Sequence, residues 1–315
     1  MNNLKKVGLT ALAASLVATS AISAEWGLSG SAGMKIENNS QTATGKAFSM
    51  PNSIYITGSG ETDGGLTISA SYEMDQGTGN NSSLGFDNHS VSVGSDAMGT
   101  LTLHGHGGSS AQSALDTTAA GDLWDNGFGI STAHDPSSSL TSDNMLYYTL
   151  PSFVDGVSIA ASYTPDGSGH ESSTAYSLTY TGVEGLSLSW GYGDDNSSVG
   201  VDADATTVKA SYAIGSFTVG LSNTDYSTTT ASSDQDVTSW NLAYTVSDAI
   251  SIAYGSETHE LEGSATDIEI SGMSASYTAG GMTISAAAID ADNVGHSTAA
   301  TADREYWLLG ASFAF

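Results

Sequence analysis

The chain has 315 residues, 34 acidic against 6 basic side chains, a formal net charge of −28 at neutral pH and no cysteine. Neither a disulfide nor a thiolate metal site can therefore hold it together, and so negative a field repels nucleic acid and anionic surfaces while drawing in cations. The length suits one large domain or two small ones.

Residues 1–24 begin with Lys5 and Lys6, continue through an apolar stretch from Val7 to Val17 and end on Ala21-Ile22-Ser23-Ala24. This is the pattern of a secretory signal peptide, and the apolar run is too short to span a bilayer. The mature chain is then 25–315, expected as a single domain. It retains Lys35, Lys46, Lys209 and Arg304 and all the acids, so its charge is 4 minus 34, or −30. No later stretch is apolar for eighteen residues, which leaves no transmembrane helix in the sequence.

Period-two alternation, the signature of strands, recurs near 26–37, 52–61, 65–75, 87–95, 99–106, 143–150, 156–165 and 173–182. It continues near 185–194, 203–214, 216–226, 236–247, 249–258, 267–278, 281–290 and 303–315, sixteen segments in all. Short links such as Thr62-Asp63-Gly64, Val183-Glu184 and Gly280 alternate with longer polar ones such as 38–50 and 227–235. Short turns on one side and long loops on the other describe an all-β, antiparallel up-and-down barrel.

Alternation alone does not say which face meets water. In Leu66-Thr67-Ile68-Ser69-Ala70-Ser71-Tyr72-Glu73 one parity is apolar and the other polar, and a soluble barrel would bury the apolar side. The aromatic residues decide. Tyr72, Tyr163, Tyr192 and Tyr254 come late in strands that leave a short turn, and Tyr180, Tyr212, Tyr244 and Tyr277 late in strands that return to one. Two rings of tyrosine separated by aliphatic residues are the interfacial girdles of a transmembrane barrel. The polar parity then faces a lumen, and it carries Lys35, Glu73, His104, His106, Lys209 and Arg304. A Lys or Arg turned to mid-bilayer lipid would cost about 2–4 kcal/mol.

The chain closes on Asp303-Arg304-Glu305-Tyr306-Trp307-Leu308-Leu309-Gly310-Ala311-Ser312-Phe313-Ala314-Phe315, an alternating strand whose apolar parity ends on Phe315. With Glu25-Trp26-Gly27-Leu28-Ser29-Gly30, Ser90-Val91-Ser92-Val93-Gly94 and Met145-Leu146-Tyr147-Tyr148-Thr149-Leu150-Pro151-Ser152-Phe153, it resembles the general, trimeric porins of Gram-negative outer membranes, of the alphaproteobacterial type. The resemblance covers the mature chain through short motifs, so it implies a family and not a particular solute.

It implies a homotrimer of barrels in the cell outer membrane, each a passive channel for small hydrophilic solutes and ions, with lipid and lipopolysaccharide around it. It also implies a terminal Phe315 read by the barrel-assembly machinery, and a third external loop folded inward to narrow the pore. The longest link, 107–142, has the position of that loop and carries Asp116, Asp122, Asp125 and Asp135 without Lys or Arg. An acidic constriction favours cations, and the chain departs from the arginine clusters that often oppose such acids in the family. Small outward residues, Gly30, Ala32, Ala286, Ala288 and Ala311, are candidates for protomer contacts.

Two side features are open. His104 and His106 form a pH-sensitive or metal-binding pair or are wetted lumen groups. Asp194-Asp195, Asp202-Asp204, Asp234-Asp236 and Asp290-Asp292 are a solvated rim or hold loosely bound Ca2+, though no spacing matches a calcium loop. No cofactor is expected. The chain has no Gly-x-Ser-x-Gly elbow and no cofactor fingerprint, so an enzyme is not expected. The competing reading is a secreted or surface-exposed acidic β-rich adhesin.

Overall fold

The structure, a computed structural model, describes residues 25–39, 46–75, 85–125, 136–140, 143–167 and 169–315; the expected signal peptide and Asp135 lie outside them. Seventeen extended segments follow one another: β1 (Glu25–Asn39), β2 (Lys46–Ser49), β3 (Asn52–Glu61), β4 (Thr67–Asp75), β5 (Gly85–Ser95), β6 (Gly99–His106), β7 (Met145–Thr149), β8 (Val157–Thr164), β9 (Ser173–Tyr180), β10 (Leu186–Asp194), β11 (Ala203–Ile214), β12 (Phe217–Thr228), β13 (Gln235–Ser247), β14 (Ile250–Leu261), β15 (Ile268–Ala279), β16 (Met282–Asp292) and β17 (Arg304–Ala314). Each pairs antiparallel with its neighbours, and β17 pairs back onto β1 from Ser31↔Ala314 to Asn39↔Tyr306. The ring closes into sixteen staves, because β2 and β3 both pair with β1 and act as one stave interrupted at Met50–Pro51.

That interruption corrects the reading of 38–50 as one long loop. Lys46–Ser49 pairs with Lys35–Asn38. Pro51 has no N–H for the ladder, so pairing stops there, while its carbonyl still accepts from Gly33 N at 2.8 Å.

The apolar parity faces out. Leu28 is 75% exposed, Leu221 57% and Met273 62%, whereas the inward Thr207 and His259 are 0% exposed. All eight expected girdle tyrosines, including Tyr180 and Tyr244, stand on the outward parity. Tyr244 stacks on Phe217 with ring centroids 4.7 Å apart and Tyr254 lies 5.6 Å from Trp240. Closure satisfies the backbone at the seam: Gly30 N donates to Phe315 O at 2.7 Å and Phe315 N to Gly30 O at 3.0 Å, so no strand edge is left in lipid there. The space above Gly30 is already occupied by the Phe315 ring, 3.1 Å from where a Cβ would stand.

The main apolar cluster lies inside the barrel. Ile268 and Ile270 of β15, Ile289 and Ala291 of β16 and Tyr306 of β17, all on the inward parity, are buried together near the loop end with Val294 of the link between β16 and β17, and Leu123 and Trp124 of the long loop pack against them.

Candidate pore constriction

The loop between β6 and β7 supplies the covering. After His106 it runs through a short 3-10 turn at Ser113–Leu115 and follows the inner wall strand by strand, its amides finding hydroxyls that point inward. Ala111 N donates to Ser162 Oγ of β8 (2.9 Å), Ala119 N to Ser222 Oγ of β12 (2.8 Å) and Ala120 N to Ser239 Oγ of β13 (3.0 Å). Gln112 Nε2 reaches Thr207 Oγ1 of β11 at 2.8 Å, and its carbonyl accepts from Ser139 N and Ser138 Oγ on the returning limb, both at 2.9 Å. A loop amide buried without such partners would cost about 1–3 kcal/mol.

Close approach is possible because the wall is glycine where the loop passes. A Cβ on Gly191 of β10 would lie 3.1 Å from Gln112 Cα, one on Gly255 of β14 2.7 Å from Ala120 Cβ and one on Gly272 of β15 3.0 Å from Leu123 Cδ2. The track ends at Glu257 of β14, 1% exposed. Its carboxylate accepts from Thr118 Oγ1 (2.5 Å), Leu123 N (2.8 Å) and Trp124 N (3.3 Å), with His259 Nε2 also at 3.3 Å. Glu257 pins the turn while Leu123 and Trp124 plug the apolar cluster.

The described loop acids divide by burial. Asp116 Oδ2 accepts from Ser138 Oγ at 2.6 Å. Burial pushes its carboxyl up to about 6, with Asp122 adding to the rise and the Ser138 hydrogen bond and Lys209 opposing it. Asp122 sits in the left-handed region at φ 54° and exchanges hydrogen bonds with Thr118: Thr118 N to Asp122 Oδ1 and Asp122 N to Thr118 Oγ1, both 2.8 Å. Burial raises its carboxyl too, with a contribution from Glu257. Asp125 is exposed.

Among the described residues the basic side chains, Lys35, Lys209 and Arg304, stand on separate stretches of wall. Lys209 Nζ donates to the Thr117 carbonyl, between the two loop acids in sequence. Lys35 pairs with Glu37 at 3.2 Å, and Glu37, 3% exposed, also accepts from Tyr306 OH (2.7 Å) and Ser49 Oγ (2.9 Å). Arg304 lies at the loop end of β17, with Ala291 as its cross-strand partner. Glu73 accepts from Tyr55 OH (2.5 Å) and Asn88 Nδ2 (2.7 Å) on the same inner wall.

The histidine pair is split: His104 keeps the expected lumen parity opposite Ser90, but a register shift sets His106 opposite His89, which shares the outward parity of Tyr72, so the expectation of a lumen-facing His106 is corrected. His104 packs edge-on to Tyr147, ring centroids 6.3 Å apart, while His106 stacks on His89 and its Nδ1 lies 2.6 Å from Asp143 Oδ1. Among the described residues no group of three or more His, Cys, Asp or Glu is placed to hold a metal. Several rim acids bond locally instead: Asp195 accepts from Tyr226 OH, and Asp234 from Thr228 N, both at 2.8 Å. The register also places outward acids at the loop end of β10–β17, where Asp194 faces Asp204, Asp236 faces both Asp225 and Glu260, Glu269 faces Asp292 and Asp290 faces Glu305.

Sequence reasoning missed Glu257, Glu37 and the glycine track. Inward parity was the available signal for all three, but parity does not reveal which stretch of wall a loop will cover.

Many solved porin structures share the architecture. A mutant of the Rh. blastica porin superposes with a TM-score of 0.70 at 20% identity, covering 92% of this chain and 100% of that one. An anion-selective porin from Comamonas acidovorans gives 0.67 at 16% identity, with 93% and 100% covered. A loop-deletion mutant of OmpT, an outer membrane protein of Vibrio cholerae, gives 0.69 at 15%, with 93% and 99% covered. No curated protein sequence matches. The family model for Gram-negative porins matches residues 8–267, and the chain, a closed sixteen-stave barrel of the outer membrane, belongs to that family.

Proposed function

We propose that this porin is a passive, water-filled channel for small hydrophilic solutes, narrowed by the loop that follows β6 and preferring cations. The observation that carries the reading is the loop's course: it is bonded to inward side chains of β8, β11, β12, β13 and β14 and so lies within the lumen. Barrels of sixteen to eighteen strands leave an aqueous lumen, while eight-stranded ones fill it with side chains. Cation preference rests on charge: Lys209 is the base that acts on Asp116 and Asp122, and the loop sequence contributes no Lys or Arg. Calcein-free proteoliposomes swelling in isosmotic sugar test the reading; swelling no faster than in empty liposomes contradicts it.

The signal peptide over 1–24, recognition of Phe315 during assembly and a homotrimeric state belong to the same reading. The outward faces of β1, β3 and β4 support the last, for they present Leu28, Met34, Ile54 and Ile68 without a described acid. The outward carboxylates stand instead on β10–β17, where they suit divalent cations bridging to lipopolysaccharide phosphates. No catalytic residue is assigned.

A further inference from the structure

The register shift on β6 assembles side chains that the channel does not use. Three residues, His104, Gly105 and His106, stand against His89 and Ser90 of β5, so β6 carries one extra residue. Such a bulge re-aims a side chain, and here it turns His106 to the face of His89, outside the barrel at the loop end. The extra residue has to be glycine, because a Cβ on Gly105 would clash with the His89 imidazole lying across it. The two imidazoles stack with centroids 6.4 Å apart and planes 27° from parallel, and Phe86 meets His89 edge-on at 6.3 Å. His106 is the last residue of β6 and Asp143 stands two residues before β7, so the two bracket the long loop. Asp143 Oδ1 lies 2.6 Å from His106 Nδ1. Nδ1 of His89 is closed off from water and has no hydrogen-bond partner among the described residues, so hydrogen bonding does not explain why a histidine stands there.

We propose that His89 and His106 form a binding site for one divalent cation of the zinc and copper class, with water completing the coordination and Asp143 orienting His106 from behind. An imidazole whose Nδ1–H is held by a carboxylate turns the lone pair of its Nε2 outward and makes it more basic, which is how metal-ligating histidines are commonly held. Two neutral imidazoles suit Zn2+ and Cu2+, whereas Ca2+ and Mg2+ take oxygen ligands. To share an ion at nitrogen distances of about 2.0–2.1 Å the rings must close by roughly 1 Å, a movement within reach of His106 because its side chain is half exposed. His104 faces the lumen beside Tyr147 and takes no part. Since Gly107 follows His106, the ion joins β5 to the root of the long loop. The proposal does not depend on the channel reading.

Calorimetric titration of tag-free, folded protein in detergent with Zn2+ tests the site, in mildly alkaline buffer that keeps imidazole neutral. Excess Ca2+ is present throughout to occupy oxygen sites such as the acidic rim. Wild type should bind a Zn2+ that Ca2+ does not displace. His89→Gln and His106→Gln should each abolish that binding, and Asp143→Asn should weaken it about tenfold, the low end of what an outer carboxylate contributes. Heat-modifiable migration checks that every variant is a folded barrel. Electron paramagnetic resonance of bound Cu2+ gives a readout that a merely structural role would not move: coupling to two nitrogen ligands in wild type, and to no more than one in either glutamine variant. A folded wild type that binds neither ion overturns the proposal. So does Ca2+-resistant binding that survives both histidine substitutions, which would place the ion on other groups.

Discussion

Gly255 on the barrel wall and Ala120 in the loop approach so closely that a Cβ on the glycine would stand 2.7 Å from the alanine Cβ. The contact falls where Ala119 and Ala120 are tied by their amides to Ser222 and Ser239, so the segment has no slack along the wall. Gly255→Val should leave the barrel folded, because position 255 lies in a strand and valine favours strands. It should lift the loop from the wall into the lumen, at a strain of about 1–3 kcal/mol. Single-channel conductance is expected to fall; a Gly255→Val channel with wild-type conductance would show that the loop does not rest on this glycine.

Glu257 gathers Thr118 Oγ1 and the amides of Leu123 and Trp124 at one buried carboxylate. Glu257→Ala removes the acceptor from three donors, each worth about 1–3 kcal/mol when left unsatisfied. The loop should then open to added protease while the barrel stays intact, and conductance should rise. Trp124→Ala tests the apolar half of the latch, since Trp124 packs on the Ile268–Ile270–Ile289 cluster. Resistance of both variants to cleavage within 107–142 would count against a latch here.

How much of this was legible beforehand differs between barrel and loop. Alternation made the staves readable because each strand has one wet and one dry face, and tyrosine height fixed which was which. The β2 segment was hidden because Pro51 breaks the pattern and polar residues surround it. The glycine track was visible as inward-parity glycines at 191, 255 and 272, but a glycine in a strand signals close approach without naming what approaches. Glu257 looked like any lumen acid, for its importance comes from donors more than 130 residues away in sequence.

Asp116 is expected to make ion selectivity depend on pH. Its carboxyl, normally ionised well below neutrality, is raised by burial to about 6. Because the folded value lies above the unfolded one, protonation favours the docked loop: that contribution is complete below the ordinary carboxylate range and is lost as pH rises through about 6. The site therefore carries its negative charge at pH 7 and loses most of it by pH 5. Cation preference measured from reversal potentials should decline across that interval. Asp116→Asn should remove the step and hold at pH 7 the lower selectivity of the acidified wild type. A variant that titrates like wild type would assign the step to another group.

The outward acids at the loop end supply a prediction about the membrane. Asp236 stands opposite both Asp225 and Glu260 across neighbouring strands, and like charges so placed repel. Divalent cations should therefore stabilise the barrel in lipopolysaccharide-containing vesicles. Chelation with EDTA is expected to lower the temperature at which folded migration on gels is lost, and Asp225→Asn/Asp236→Asn should blunt that effect. An EDTA response equal in variant and wild type would place the cations elsewhere.

The central claim is an open aqueous pore with an acidic constriction, and reconstitution in a planar bilayer under a KCl gradient tests it most directly. The account predicts discrete conductance steps and a reversal potential of the sign given by K+ passing more readily than Cl−. Anion preference would contradict the acidic constriction, and folded, heat-modifiable protein that inserts without conducting would contradict the pore.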